Sequence, residues 1–278
     1  MNKNKLLLIS IIGLLLFAPY TYGQSFRRSF NNLKEAVADS LNVYKLKLGY
    51  QHLTELSADI GKLVNLEELE LNNNQLKTLP PEIGKLKHLK RLNVFKNKLD
   101  SLPPEIGGLE NLEELILSSN KLTSLPPEIG KLQNLRLLSI KYNKIERLPS
   151  EIGNLIELRE FDMMYNQLKA LPPEIGRLGY LELVHLEENN LIHLPKEIGG
   201  WKHIRFLYIG KNQLDELPDE IGQLTVMVEL DVAHSGVLLS IPSTISHLHK
   251  LETLYIDRYT ALPTNINTVN PRLQIIYR

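Results

Sequence analysis

The chain has 278 residues, 32 basic and 32 acidic side chains, 43% hydrophobic residues and no cysteine. The balanced charge argues against a dedicated nucleic-acid binder, which would carry a concentrated basic surplus. The lack of cysteine excludes thiol nucleophiles, cysteine-ligated metal centres and disulfides.

Residues 1–23 are predicted to be a secretory signal peptide. Two lysines precede a dozen apolar residues at 6–17, and a polar stretch with small residues follows up to position 23. The apolar run is shorter than the 20 or so residues that a membrane span requires, so an uncleaved anchor is the less favoured alternative. We therefore expect an exported protein that is periplasmic, on the cell surface or secreted, with no membrane span after cleavage. The lack of cysteine and of Asn-x-Ser/Thr sites favours a bacterial source.

A 23-residue repeat occupies almost all of the remaining chain. One copy reads Leu112-x-x-Leu115-x-Leu117-x-x-Asn120-x-Leu122, followed by a Leu-Pro pair and an Ile-Gly pair. Repetition with a period of this length predicts a solenoid, in which each repeat packs only on its neighbours. The asparagine returns at a constant spacing, as Asn74, Asn97, Asn120, Asn143, Asn166, Asn189 and Asn212.

The residue pattern within a repeat predicts its local structure. Leu115 and Leu117 alternate with period two, which is typical of a short strand with its leucines pointing inward. The asparagine follows the strand, where its amide can satisfy buried backbone groups of adjacent turns. Proline on the return side suits an extended, polyproline-like segment, and glycine after isoleucine is expected to permit a tight turn.

This pattern resembles the leucine-rich repeat family, in the class with the LPxxIGxLxxL consensus that includes bacterial exported proteins. The resemblance covers residues 43–278. It implies an α/β leucine-rich repeat solenoid, a horseshoe of about ten turns with a concave parallel β-sheet and an irregular or polyproline-like convex side.

Both ends depart from the repeat. Residues 24–42 are predicted to form a helical N-terminal cap, with Ser29 as its N-cap residue. Near the other end, Ser235 and Tyr259 stand in the asparagine position, so we expect degenerate, looser C-terminal turns. Arg272 and Arg278 are expected to protect the open edge of the last strand.

Apolar residues cluster at the outward positions of the central strands, where they have no role in the core. Such clustering in water favours a binding surface, since aromatic residues are enriched at interface hot spots. The predicted partner-binding residues on the concave face are Phe95, Ile116, Leu137, Tyr142, Met164, Tyr165, Leu183, His185, Phe206 and Tyr208.

Charged outward positions have a different interpretation. Lys45, Glu68, Arg91 and Glu114 alternate in sign on successive strands, which favours correct stacking and predicts a structural role. Asp162, His185 and Glu187 could be drawn as a metal triad, but hydrogen-bonded surface groups are the favoured interpretation, and no metal site or cofactor is predicted.

The family resemblance implies recognition rather than catalysis, and the sequence contains no phosphate-binding loop, Gly-x-Ser-x-Gly or His-Glu-x-x-His motif. The first hypothesis is a non-enzymatic protein that binds another protein through its concave face. The alternative is a glycan or cell-wall binder that stacks sugars on tyrosines, with Asp162 and Asp231 bonding to hydroxyls.

Overall fold

The computed structural model describes residues 28–236 and 239–278; the predicted signal peptide at 1–23 lies outside them. In the described residues the chain forms one parallel sheet whose spatial order follows the chain order. Its strands are β1 (Arg28–Phe30), β2 (Val43–Lys47), β3 (Glu68–Glu70), β4 (Arg91–Asn93), β5 (Glu114–Ile116), β6 (Leu137–Ser139), β7 (Glu160–Asp162), β8 (Leu183–His185), β9 (Phe206–Tyr208), β10 (Glu229–Asp231), β11 (Thr253–Ile256) and β12 (Gln274–Tyr277). The predicted solenoid is confirmed, with about ten turns between β2 and β12.

The convex side consists of short 3-10 helices, most of which are entered from an extended proline residue. Pro126, for example, has φ −71° and ψ 149°, which is polyproline II geometry, and directly precedes one of these helices. The predicted polyproline-like segment is therefore only the start of each return path. The 3-10 helices span Ala58–Lys62, Pro81–Lys85, Pro104–Gly108, Pro127–Lys131, Ser150–Asn154, Pro173–Arg177, Lys196–Gly200, Asp219–Gln223, Ser243–His247 and Ile266–Thr268.

The core is a continuous column of aliphatic side chains between the sheet and the 3-10 helices. Within one repeat, Leu115, Leu117, Leu122 and Ile129 are all fully buried. Each such side chain contributes roughly 1.5–3 kcal/mol of transfer free energy. Trp201 replaces the usual leucine in a later repeat and remains buried because its indole N–H donates to the Ile175 carbonyl at 2.9 Å.

The predicted asparagine ladder is present. The Asn143 side-chain amide donates to the carbonyl of Leu117 in the preceding repeat (3.1 Å) and to that of Ile140 in its own (2.9 Å). Its Oδ1 atom accepts the Leu122 N–H at 3.0 Å. Each ladder asparagine thus joins two turns. The ladder ends at Ser235, whose hydroxyl donates to the Ile209 carbonyl at 2.9 Å, while the Leu214 N–H bonds to the Ser235 carbonyl instead of to a side chain.

The predicted reason for the repeated glycine was wrong. Gly130 does not have a left-handed conformation; instead, a Cβ atom built on it would lie 2.5 Å from the Glu151 carbonyl oxygen of the next repeat. The same close approach recurs at Gly107, where the Glu128 carbonyl oxygen would be 2.7 Å away. Glycine is required because adjacent convex turns pack backbone against backbone, a contact that one repeat in isolation does not reveal.

Left-handed backbone occurs instead at the residue before each ladder asparagine. Ser119, Tyr142 and Tyr165 have φ values of 59°, 55° and 54°. This turn directs their side chains to the rim of the concave face.

The N-terminal helix was predicted too long and with the wrong N-cap. The helix α1 spans only Leu33–Ala38, and the Asn32 side chain accepts the Glu35 N–H at 3.2 Å. Ser29 lies in β1, where it pairs with Lys45 of β2. Helical spacing of apolar residues could not show that the edge of the solenoid sheet offers this segment a strand partner. In the described ranges, no helix is both long and apolar enough to cross a membrane.

Candidate functional site

The three-residue strands β3 to β10 present two outward side chains each, on either side of one inward residue. In β5, Leu115 is fully buried while Glu114 and Ile116 are half-exposed. Parallel register places equivalent residues side by side, so that Glu114 faces Leu137 and Ile116 faces Ser139. A column of outward positions therefore runs along the concave face, one residue per repeat and about 4.8 Å apart.

The apolar residues predicted from the sequence form a groove in the centre of this face. Phe95, Ile116, Leu137, Leu183 and His185 line a hollow of about 340 Å³. These side chains are half-buried, because outward neighbours on adjacent strands cover one another. We call this hollow, with the residues that line it, the central groove.

The remaining predicted residues extend the central groove in two directions. The Tyr208 ring stacks on His185 with 4.7 Å between ring centroids, which places β9 and Phe206 next to the groove. Tyr142 and Tyr165 lie on the rim and are 48% and 38% exposed. Their rings stack at 4.4 Å with an interplanar angle of 10°, so each ring has one face covered by the other.

Met164 and Tyr165 belong to a second hollow, of about 240 Å³, nearer the C-terminal end. Gly210 and Ala233 occupy the outward positions after β9 and β10, and their small size leaves space for this hollow. Seven of the ten predicted residues thus line two hollows, while Tyr142, Phe206 and Tyr208 lie beside them.

A polar network in the central groove was not predicted. The hydroxyls of Ser118 and Ser139 are 2.7 Å apart, and Ser139 donates to the Asp162 carboxylate at 3.2 Å. Lys141 forms an ion pair with the same carboxylate at 3.0 Å. The signal in the sequence was small polar residues at outward positions of consecutive repeats, which becomes informative only once the register is known.

Asp162, His185 and Glu187 do not assemble as a metal triad. His185 Nδ1 lies 3.1 Å from the Glu187 carboxylate, whereas Asp162 is engaged by Lys141 and Ser139. Across residues 28–236 and 239–278, no group of three or more histidine, aspartate or glutamate side chains is placed to hold a metal ion.

The pKa of His185 is shifted by opposing effects. Burial lowers it, but the hydrogen bond to Glu187 and the charges of Glu187 and Asp162 outweigh burial, so the pKa is raised above 6.5. Protonated His185 therefore stabilises the folded protein: the contribution is fully present below pH 6.5 and is lost as pH rises through the folded-state pKa.

We expect an NMR titration of the His185 ring to give a midpoint above 6.5. The substitution Glu187→Gln should lower that midpoint, because it removes both the hydrogen-bonded anion and its charge. A midpoint at or below 6.5 in the parent protein, or one that Glu187→Gln leaves unchanged, would contradict the assignment of this ion pair.

Tyr208 has a strongly raised pKa, of about 12. Burial is the main cause, and the Glu229 carboxylate adds to it through its charge and a hydrogen bond. The phenol is consequently protonated at physiological pH and serves as a hydrogen-bond donor on the concave face.

Arg278 does not simply protect the edge of the last strand, as predicted, but reaches across the concave face. Its guanidinium forms an ion pair with Asp231 at 2.5 Å and lies 3.9 Å from the centre of the Tyr255 ring. Burial raises the pKa of Asp231, while the Ala233 N–H and the charge of Arg278 oppose that rise. Because strands β10 to β12 bring these residues together, chain order gave no indication of the contact.

The alternating charges at the N-terminal end pair as predicted. Lys45 contacts Glu68 on the next strand, and Arg91 lies 3.2 Å from Glu114. These groups are occupied with one another, which leaves the central groove and its C-terminal extension as the candidate binding region.

Comparison with known families identifies the repeat. The family described as "Leucine-rich repeat region" matches residues 31–121 and 195–271, and the one described as "Leucine rich repeat" matches residues 110–168. These matches cover more than half of the chain, which therefore belongs to the leucine-rich repeat family.

Solved structures of similar fold come from receptors and bacterial proteins. A TDR receptor is 26% identical with a TM-score of 0.76; the alignment covers 90% of this chain and 45% of the receptor. The ectodomain of the Arabidopsis thaliana receptor kinase GASSHO1/SCHENGEN3, in complex with CASPARIAN STRIP INTEGRITY FACTOR 2, is 27% identical with a TM-score of 0.72. That alignment covers 89% of this chain and 34% of the ectodomain. This chain thus spans less than half the length of either receptor.

An internalin from Listeria monocytogenes shares the fold at 16% identity, with a TM-score of 0.75 and coverage of 88% of this chain and 70% of the internalin. Comparison with curated proteins gives no significant match.

Proposed function

We propose that this protein is an exported, non-enzymatic recognition protein that binds a protein partner in the central groove and along β9. The observation that carries the proposal is the row of apolar side chains at outward positions, from Phe95 and Ile116 to Phe206 and Tyr208. These residues contribute nothing to the column between the sheet and the 3-10 helices, and they border a hollow of about 340 Å³. Solenoids present such extended concave surfaces to their ligands.

Two structural relatives support a proteinaceous partner. The GASSHO1/SCHENGEN3 ectodomain was solved in complex with CASPARIAN STRIP INTEGRITY FACTOR 2, and the peptide hormone receptor RGFR1 was solved in complex with RGF2. Both are at least 25% identical to this chain, although it spans less than half of either protein.

The glycan alternative is weakened by the contacts of the residues on which it depends. Asp231 is 5% exposed and is held by Arg278 and by the Ala233 N–H, so its carboxylate is not free for sugar hydroxyls. Tyr142 and Tyr165 cover one face of each other's ring, which leaves a single open face on each for stacking.

The test is an affinity capture with the mature protein, from residue 24 onward, and a Phe206→Glu/Tyr208→Glu variant. We expect the parent to capture a protein that the variant does not, because two carboxylates would be buried without partners in the interface. For that protein, Phe206→Ala should weaken binding about 30-fold, equivalent to the 2 kcal/mol typical of a hot spot.

The matched control is Tyr180→Glu/Ile192→Glu. It adds the same two charges at apolar residues that are 48% and 47% exposed outside the concave face, and binding should persist. Circular dichroism must show both variants folded. Equal binding by the parent and the concave-face variant would rule out the proposed surface, and competition by free saccharide would favour the glycan alternative.

A further inference from the structure

One carboxylate in the central groove has no partner within residues 28–236 and 239–278. Glu160 is exposed at the start of β7, and its strand neighbours in register are Leu137 on β6 and Leu183 on β8. All three residues line the central groove. An anion is therefore flanked on both sides by apolar side chains.

The other glutamates in the same outward column are engaged. Glu68 contacts Lys45, Glu114 lies 3.2 Å from Arg91, and Glu229 accepts a hydrogen bond from Tyr208. Glu160 is the exception in this column, and it occupies the only one of these four positions that lines the central groove.

The surrounding part of the concave face carries excess negative charge. From β7 to the turn after β11, the outward positions hold six carboxylates and no lysine or arginine; Lys141, after β6, and Arg278, after β12, each pair with one of the six. Arginines border the strands on one side, where Arg205 lies over the Phe206 ring and Arg159 pairs with Glu182. A basic partner would be attracted to these carboxylates and oriented by them. The carboxylates are those of Glu160, Asp162, Glu187, Glu229, Asp231 and Asp257.

The dimensions of the apolar strip favour an extended segment. Six strands from Phe95 to Tyr208 span about 24 Å, and strands of three residues give a width of about 10 Å. The resulting footprint of about 240 Å² is well below the 800 Å² or so that each partner buries in a standard protein interface. An extended chain of about seven residues covers the same length.

We propose that the central groove binds an extended basic segment of the protein partner, with one lysine or arginine side chain recognised by Glu160. The aliphatic stem of that residue lies across Leu137 and Leu183, and its cation meets the Glu160 carboxylate. Long basic side chains combine an apolar stem with a charged end in this way. The inference rests on the proposed function and adds the chemistry of the partner.

The test uses a positional-scanning library of synthetic peptides, each about nine residues long to exceed the footprint, with the parent protein and a Glu160→Lys variant. The parent should select lysine or arginine at one position, next to apolar positions. The variant should select aspartate or glutamate at that position, because the side chain at residue 160 that contacts it is now positively charged. For a selected basic peptide, Glu160→Gln should lower affinity about tenfold.

Glu105→Lys, which places the same charge change at an exposed residue of the convex side, should leave the selection unaltered. Peptide binding that requires Phe206 and Tyr208 but shows no basic preference, or a preference that survives Glu160→Lys, would overturn this inference and leave the proposed function standing. Failure of every peptide to bind the groove while a captured folded protein does so would also overturn it. If neither a peptide nor a captured protein bound through Phe206 and Tyr208, the proposed function would be ruled out as well.

Discussion

Replacing Asn143 with alanine is expected to lower the free energy of unfolding by about 3 kcal/mol. The substitution removes the acceptor for the Leu122 N–H at 3.0 Å and one of two side-chain donors to each of the Leu117 and Ile140 carbonyls, which keep their bonds to Asn120 and Asn166. The Leu122 N–H is then left without a partner between two turns, where water cannot replace the lost acceptor without opening the structure. A buried unpaired polar group costs about 1–3 kcal/mol, which makes this effect large for a single side chain.

Asn134→Ala provides the matched control. Asn134 also donates to a backbone carbonyl of the preceding repeat, that of Glu110 at 2.8 Å, but this bond is exposed. Water can therefore satisfy the carbonyl, and we expect a loss of no more than about 1 kcal/mol. Urea denaturation followed by circular dichroism measures both variants.

Hydrogen exchange would locate the Asn143→Ala defect. The Leu122 amide should lose protection, whereas the Leu99 amide, bonded to Asn120 Oδ1 at 3.0 Å, should lose less because its own acceptor remains. Similar stability losses in Asn143→Ala and Asn134→Ala would show that the ladder is not a principal source of stability. The repeat would then depend chiefly on its aliphatic column.

The second large effect is expected at Gly130. Gly130→Ala should destabilise the protein by about 3 kcal/mol, since overpacking of a tightly packed site costs about 1–3 kcal/mol or more. The new methyl group would lie 2.5 Å from the Glu151 carbonyl oxygen and 2.8 Å from its Cβ atom. Neither atom belongs to the free end of a side chain, so two convex turns would have to separate. Thermal and urea denaturation would quantify the loss.

Gly179→Ala tests whether the clash, rather than loss of glycine as such, is responsible. A Cβ atom on Gly179 would approach nothing closer than the Gly200 carbonyl oxygen at 3.7 Å, and its backbone is not left-handed. We expect this variant to be within about 0.5 kcal/mol of the parent or slightly more stable, because alanine restricts the unfolded chain. If Gly130→Ala were equally harmless, adjacent turns would have to be looser than their geometry indicates.

Both stability predictions bear on recognition, because the central groove is built from consecutive repeats. Ile116, Leu137 and Leu183 come from different turns, and their spacing depends on the packing of those turns. A solenoid is held by contacts between nearest neighbours, so a defect at Asn143 or Gly130 would loosen the groove locally. Binding variants should therefore be compared at matched stability.

The fold and the direction in which each repeated side chain points follow from the repeat pattern alone. Strict 23-residue spacing fixes which leucines are inward and which residues, such as Ile116 or Phe206, are outward, because strand side chains alternate with period two. The same spacing predicted the role of Asn143, since an amide that both donates and accepts can join two identical turns. Periodicity carries this information because every repeat has the same local environment.

The way in which residues of different turns combine depends on how the turns pack in three dimensions. The requirement for glycine at Gly130 comes from the backbone of the next turn, and β1 forms because an open sheet edge lies beside Ser29. Likewise, Asp162 forms an ion pair with Lys141, whereas Glu160 has no partner in the described residues. This difference depends on contacts between side chains of adjacent turns, which the shared repeat pattern does not specify. Local propensity and periodicity describe one turn, and the functional surface consists of the differences between adjacent turns.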